Sequence, residues 1–261
     1  MKTLAISGKG GTGKTTIAAL VIRWLREHVS KSILAVDADS NVNLNDLLGV
    51  EVKETIGSVR EEMKRLINSL PGGMTKQEFL EYKIQTCLAE TADFDLIAIG
   101  RPEGPGCYCY ANSLLRDILH KLSANYEYVV IDNEAGMEHL SRRTVQNIDY
   151  LLIISDPTMR GVHAAAKISR LLLELDTRVQ EKYLILNRVL SPISQPAKRM
   201  IEEEGLKHLC SIPEDDQLLT MDQKGEPIWN ILADSPAYQA VHQFMTKLID
   251  MKKIKREIHE F

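Results

Sequence analysis

Residues 8–16 read "GKGGTGKTT", between the apolar run "TLAISG" and a segment with helical spacing. They fit the pattern G-x-x-x-x-G-K-[ST] in the strand-to-helix context that this pattern requires. Glycines let successive backbone N–H groups turn toward a phosphate, and the helix N-terminus adds its positive end. Lys14 is expected to neutralise phosphate oxygens and Thr15 to ligate Mg²⁺. The motif therefore predicts a nucleotide-binding phosphate loop formed by Gly8, Gly10, Gly11, Thr12, Gly13, Lys14, Thr15 and Thr16.

Apolar runs of strand length recur along the chain, each followed by a loop and a helical pattern. The runs are "TLAISG", "SILAVD", "DLIAIG", "YVVIDN", "YLLIIS" and "KYLILN". Their near-continuous apolarity indicates strands covered on both faces. We therefore predict an α/β fold with a mostly parallel central sheet and helices on both faces, a P-loop NTPase architecture. No repeat or linker divides the chain, so residues 1–261 are expected to form a single ATPase domain. Residues 54–91 are expected to be a helical insertion.

Composition limits the functional classes. The 261 residues are 44% hydrophobic and 26% charged, with a net charge of −4. This balance gives no global attraction to nucleic acid or to an anionic membrane, so neither partner is expected. The first residues lack a signal-peptide pattern and no run approaches 18 apolar residues, so a cytoplasmic location is expected. In a reducing compartment the four cysteines should form no disulfide framework, and Cys87 and Cys210 should be buried small hydrophobes.

Carboxylates follow two of the predicted strands. Asp37 and Asp39 end the run "AVDAD", and Asp132 ends "YVVID". An aspartate at the end of an apolar strand is where a Walker B carboxylate holds Mg²⁺ through water, which makes Asp132 the candidate. Asp37 and Asp39 project the same way only if the strand continues through both; in a loop they diverge. Asp39 could instead serve as a helix N-cap or a solvated turn residue.

Two cysteines one residue apart lie in "GPGCYCYANSLLR", residues 104–116. The thiolates of Cys107 and Cys109 can share one soft metal ion, but two sulfurs cannot complete a tetrahedral shell. The simplest completion is a second copy of the pair, from another subunit across a two-fold axis. The alternative is that both are small packing residues at a helix start.

The phosphate-loop sequence K-G-G-x-G-K-T-T resembles the deviant Walker A motif of the MinD, ParA and nitrogenase iron protein group. The resemblance implies that Lys9 reaches the phosphates of a partner subunit, that Asp39 orients the attacking water and that Asp37 supports the Mg²⁺ site. It also implies that Asn187, followed by Arg188, reads the adenine, with Pro213 in the loop after the next strand. Asn187 could instead form an Asx turn.

The combination of "GKGGTGKTT", "GCYCYANSLLR" and "VVIDNEAGMEHLSRRT" resembles the CooC family over essentially the whole chain. These are MinD-like ATPases that assist nickel insertion into carbon monoxide dehydrogenase; the related AcsF proteins serve acetyl-CoA synthase. The resemblance implies an ATP- and Mg²⁺-dependent homodimer that binds Ni²⁺ or Zn²⁺ between its subunits and serves one of these two client enzymes. It does not choose between the clients.

Parts of this resemblance are incomplete, and two other classes stay open. Asn133 and Glu134 stand where MinD-type proteins usually have proline, so the signalling of a partitioning ATPase is not carried over. Glu138 and His139 could contact metal or client, or be ordinary surface residues. A positioning ATPase could use the C-terminal "KLIDMKKIKREIHEF" on a membrane, although its few large apolar residues favour a solvated tail. An iron–sulfur carrier is the other class, although such proteins usually space their cysteines farther apart.

Overall fold

The computed structural model describes residues 1–29, 32–66, 73–100, 120–135, 147–172 and 178–259. The described strands form one eight-stranded sheet in the order β3-β4-β2-β5-β1-β6-β7-β8, in which only the β3–β4 pair is antiparallel. The strands are β1 (Lys2–Gly8), β2 (Ile33–Ala38), β3 (Leu88–Glu90), β4 (Asp95–Ala98), β5 (Tyr128–Asn133), β6 (Asn147–Ser155), β7 (Arg178–Val189) and β8 (His208–Pro213). The predicted fold class is confirmed.

Eight α-helices of the described chain flank this sheet. They are α1 (Lys14–His28), α2 (Leu44–Leu48), α3 (Ile56–Leu66), α4 (Lys76–Cys87), α5 (Met159–Leu171), α6 (Gln195–Glu203), α7 (Asp216–Lys224) and α8 (Pro236–His259). Among the described residues, no helix combines the length and apolarity needed to cross a membrane.

The central strands are buried on both faces, as their continuous apolarity predicts. In β1, Leu4 and Ile6 point into a layer with α1 and α8, whereas Ala5 between them belongs to the opposite layer with α3 to α6. This alternation follows from the two-residue period of a strand. Each layer fixes one side of the sheet, so the strand ends that carry polar residues are held rigidly.

The described parts of the insertion predicted for residues 54–91 are mainly helical, with a short strand at the end. Helices α3 and α4 are followed at once by β3, which pairs with β4 at the sheet edge. A capping box begins α4: Thr75 Oγ1 accepts a hydrogen bond from the Glu78 N–H, while the Glu78 carboxylate accepts one from the Thr75 N–H at 2.8 Å. The three-residue β3 was not predicted.

Strand order places the polar residues together. Strand β5 lies between β2 and β1, and its register sets Asp132 beside both Asp37 of β2 and Ile6 of β1. Strand β6 lies on the opposite side of β1 from β5, so the direction in which strands are added to the sheet changes at β1. Ligands of open parallel sheets bind at such a switch point, outside the carboxyl ends of the strands.

Candidate nucleotide and magnesium site

The phosphate loop leaves β1 at Gly8 and enters α1 at Lys14. Thr12 Oγ1 donates to the Lys9 carbonyl at 2.9 Å, and Lys14 Nζ donates to the same carbonyl at 3.5 Å. Lys14 is buried, while Lys9 is exposed. Gly13 has a φ of 89°, and a Cβ built there would lie 2.4 Å from Asn187 Nδ2. Only glycine fits this position, because it needs both the left-handed backbone and the space.

Asp132 provides the clearest sign of a cation site. Its side chain is 1% exposed, and its Oδ1 has no hydrogen-bond partner within the described chain. Burial raises the pKa of Asp132 to about 7, opposed by the hydrogen bond with Thr15 and the charge of Lys14. A buried carboxylate oxygen without a partner is costly unless a ligand completes it. Oxygen donors from Asp132 and Thr15 fit Mg²⁺, which prefers such ligands and keeps several waters.

Asp37 shapes the loop that follows β2. Its Oδ1 accepts from the Asp39 N–H at 3.0 Å, and its Oδ2 accepts from the Asn43 and Leu44 N–H groups at 2.9 Å each. Burial raises the pKa of this fully buried carboxyl, while the three N–H donors act in the opposite direction. Its contacts in the described chain are thus to the loop backbone, and Mg²⁺ support stays a prediction.

Asp39 lies in that loop rather than on the strand, because β2 ends at Ala38. The side chains of Asp37 and Asp39 therefore need not project together, as the loop alternative predicts. Asp39 Oδ1 accepts from the Asn41 N–H at 2.9 Å, a local turn contact. The water-orienting role of Asp39 stays a prediction.

The residues after Asp132 make two contacts that sequence reasoning missed. Asn133 Nδ2 donates to the Ile6 carbonyl at 2.9 Å, which ties β5 to β1 just before the phosphate loop. Ser40 Oγ donates to Glu134 Oε1 at 3.2 Å, which joins the loops that follow β2 and β5. The sequence signal for the first contact was Asn133 itself, which with Glu134 stands where MinD-type proteins usually have proline. A buried asparagine side chain needs a hydrogen-bond partner.

A cavity of about 240 Å³ opens beside the phosphate loop, and adenine reading there by Asn187 and Arg188 stays a prediction. Asn187 lines it, and its Nδ2 donates to the Thr12 carbonyl at 2.8 Å, so the side chain braces the phosphate loop. Arg188, with a φ of 56°, donates from Nη1 to the Gly11 carbonyl at 3.2 Å. Pro213 also lines the cavity, but it is the last residue of β8, not part of the loop beyond, because pairing with Val189 extends the strand through it.

Helix α7 forms the remaining wall, which the sequence did not indicate. Asp215 accepts from the Gln217 N–H at 2.8 Å, from Ser235 Oγ at 2.6 Å and from the Ala237 N–H at 3.0 Å. Burial opposes ionisation of this carboxyl, but the donors outweigh it and lower its pKa. Asp215 therefore joins the cavity wall to the start of α8.

The described cysteines are unsuited to metal binding. Cys87 is buried and Cys210 is partly buried, and they pack against opposite faces of the sheet. Burial raises the pKa of each thiol to about 12, so both stay protonated at neutral pH. No cluster of three or more His, Cys, Asp and Glu side chains in the described ranges is arranged to hold a metal. Cys107, Cys109, Glu138 and His139 lie outside the described residues.

Several known proteins are similar to this chain in sequence or in fold. The chain is 42% identical to an uncharacterized ATP-binding protein of Methanocaldococcus jannaschii, covering 95% of this chain and 99% of that protein. It is 29% identical to the carbon monoxide dehydrogenase accessory protein CooC of Rhodospirillum rubrum, covering 95% and 96%. A ParA family ATPase from Chlorobium tepidum superposes with a TM-score of 0.71 at 19% identity, covering 93% of this chain and 96% of that one. A chain of the MinC:MinD cell division protein complex of Aquifex aeolicus superposes with a TM-score of 0.69 at 22% identity, covering 96% of each chain.

The sequence signature of a nucleotide-binding domain spans most of the chain. It matches residues 3–228, a range that contains the phosphate loop, Asp132 and the cavity beside the loop. The chain therefore belongs to the CobQ/CobB/MinD/ParA nucleotide-binding domain family.

Proposed function

We propose that this protein is a Mg²⁺-dependent ATPase that acts as a homodimer and assists nickel insertion into a nickel enzyme, carbon monoxide dehydrogenase or acetyl-CoA synthase. The observation that carries the ATPase part is the buried Asp132 oxygen without a partner, beside Thr15 and Lys14 of the phosphate loop. A buried carboxylate oxygen without a partner destabilises a purely structural loop, whereas a hydrated Mg²⁺ ion would provide the missing partner.

Each part of the site has a distinct task in this proposal. Lys14 releases its contact with the Lys9 carbonyl and holds β- and γ-phosphate oxygens, together with the loop N–H groups. Thr15 and, through water, Asp132 would hold Mg²⁺, which when bound neutralises charge on the phosphates. Asp39 positions the water, and the exposed Lys9 is free to reach the phosphates of a second subunit.

The nickel part rests on the CooC relative and on the remaining cysteines. Cys87 and Cys210 stay protonated and lie on opposite faces, so Cys107 and Cys109 are the thiols left to bind a soft metal. Two such pairs across a dimer axis supply four sulfurs, which fits one Ni²⁺ or Zn²⁺ per dimer. The metal is cargo for the client enzyme in this proposal.

ATP turnover and ATP-dependent mass test the nucleotide part. Lys14→Ala should abolish hydrolysis, while Lys9→Ala should keep nucleotide affinity but lose turnover and dimer formation. Lys53→Ala, which removes an exposed lysine elsewhere, should match the wild type in each measurement. Normal turnover by Lys9→Ala would remove the role across the dimer.

Metal analysis of anaerobically purified protein tests the nickel part. Replacing Cys107 or Cys109 with serine should remove one metal per dimer and leave ATP affinity largely intact. Cys210→Ser is the matched control, because its partly buried thiol stays protonated and should carry no metal. Unchanged metal content in the double variant would refute the cysteine site, and a visible charge-transfer spectrum with bound iron would favour the iron–sulfur alternative.

A further inference from the structure

The loop of residues 39–43 leaves the sheet beside the chain that follows β5. Strands β2 and β5 pair in parallel up to Ala38 and Asn133, so the two chains emerge side by side at the carboxyl edge. Asn133 is fixed there, because its buried side chain donates from Nδ2 to the Ile6 carbonyl of β1. Glu134, the next residue, therefore extends from a rigid strand end next to the loop.

One side-chain contact ties this loop to another element. Ser40 Oγ donates to Glu134 Oε1 at 3.2 Å, and both residues are partly buried. The other hydrogen bonds of residues 39–43 stay within the loop or return to Asp37 at the end of β2. Within the residues that the structure describes, Glu134 is thus the hold on the loop from outside its own segment.

The backbone of the loop is strained, which is why this hold matters. Val42 has a φ of 52°, in the left-handed region that a β-branched residue rarely adopts. Such a conformation persists only where the surrounding contacts fix it. Asp37 fixes one end of the loop by accepting from the Asn43 N–H at 2.9 Å. Glu134 fixes the other end through Ser40, so loss of that bond leaves the strained loop free to relax.

We propose that Glu134 is a positioning residue for ATP hydrolysis, which holds Asp39 in place through the hydrogen bond with Ser40. Asp39 orients the attacking water in the proposed function, and Ser40 follows it directly in the chain. A backbone held at Ser40 restricts the directions in which the Asp39 carboxylate points, and hydrolysis requires one of them. The positioning role rests on the proposed ATPase function, whereas the hold on the loop does not.

Steady-state ATPase kinetics test the positioning role. Glu134→Ala and Ser40→Ala should each lower kcat by roughly tenfold, while KM for ATP stays within about twofold, because the phosphate loop is unchanged. The double variant should lose no more than either single variant, since both remove the same hydrogen bond. Glu134→Gln keeps an acceptor oxygen and should retain most of the wild-type kcat. Glu202→Ala removes an exposed carboxylate on α6 and is the matched control, with both constants unchanged.

Hydrogen exchange in nucleotide-free protein tests the hold without any turnover. Amide exchange across residues 39–43 should speed up several-fold in Ser40→Ala and Glu134→Ala, because the loop then opens more often. Glu134→Gln and Glu202→Ala should exchange at the wild-type rate. Unchanged exchange in both alanine variants would show that this contact does not hold the loop.

The kinetic results separate positioning from mere structure. Positioning by Glu134 is overturned if the two kcat losses add up in the double variant, if Glu134→Gln is as impaired as Glu134→Ala, or if only KM changes. Faster exchange with an unchanged kcat would make the bond with Ser40 a structural contact alone. A wild type that exchanges as expected but hydrolyses no ATP would remove the proposed function, and the positioning role with it, and leave the hold on the loop.

Discussion

Asp132→Asn in metal-free, nucleotide-free protein should become relatively more stable than the wild type as pH rises. The pKa of Asp132 is raised by burial from 3.8 to about 7, so the folded state holds a proton that the unfolded state releases between these values. Stability from this group therefore falls as pH rises through that window and levels off above about pH 8. The uncharged amide escapes this loss.

The magnitude follows from the size of the pKa shift. A pKa shift of about three units costs the wild type about 4 kcal/mol of unfolding free energy at pH 8.5. At pH 5.5 the native carboxyl is still protonated, and the cost is about 2 kcal/mol. The difference in unfolding free energy between variant and wild type should therefore grow by about 2 kcal/mol from pH 5.5 to 8.5. Asp37 lies beside Asp132, and removing the Asp132 charge makes ionisation of Asp37 less costly in the folded variant. This changes the difference in unfolding free energy in the same direction.

Urea denaturation in EDTA at several pH values measures this difference. Asp93→Asn is the control, since that carboxylate is exposed and pairs with Arg26 at 2.8 Å on the surface, so its pH-dependent difference should stay under about 0.5 kcal/mol. If the unfolding free energies of Asp132→Asn and wild type changed with pH in parallel, the pKa of Asp132 would not be raised by burial and the reasoning would be refuted. Adding Mg²⁺ and ADP should reverse the ranking, because the wild type alone keeps a carboxylate for the ion.

Three further substitutions test the scaffold. Gly13→Ala forces a Cβ against Asn187 Nδ2, so urea denaturation should show a loss of roughly 1–3 kcal/mol, with weaker ADP binding by titration calorimetry. Asn187→Leu leaves the Thr12 carbonyl unpaired and should cost about 1–3 kcal/mol without nucleotide, whereas a residue that only reads the base would leave stability unchanged. Arg23→Met removes bonds to two backbone carbonyls and stacking on Tyr238; Tm should fall while the KM for ATP stays constant.

The sequence predicted the parts that depend on local pattern. The phosphate loop, the six strand runs and the position of Asp132 follow from residue types and spacing that are visible within a few residues. Strand β8 was not among the apolar runs, because "HLCSIP" mixes polar residues at a sheet edge where one side is less covered. The three-residue β3 carries too few residues for any periodicity.

The contacts that complete the site depend on the tertiary fold. Asn187 and Thr12 are 175 positions apart, and their hydrogen bond exists because β7 lies two strands from β1 in the sheet. Asp215 is the N-cap of α7, where its side chain accepts from the Gln217 N–H, a contact within two residues. Its second task, holding Ser235 and the start of α8, requires the finished packing of both elements.

The backbone after β4 connects the nucleotide side of the sheet to the chain that leads toward the paired cysteines. The Ile99 N–H donates to the Asp37 carbonyl at 2.7 Å, and the Ile99 carbonyl accepts from the Gly57 N–H of α3 at 2.8 Å. Gly100 follows with a φ of 64°, where a Cβ would lie 2.6 Å from Thr55 Oγ1. Asp37 also holds the following loop through the Leu44 N–H, so this one residue joins that loop to the strand end at Ile99. Gly57 of the insertion thus holds the backbone that leaves β4, and Gly100 lies seven positions before Cys107 in sequence.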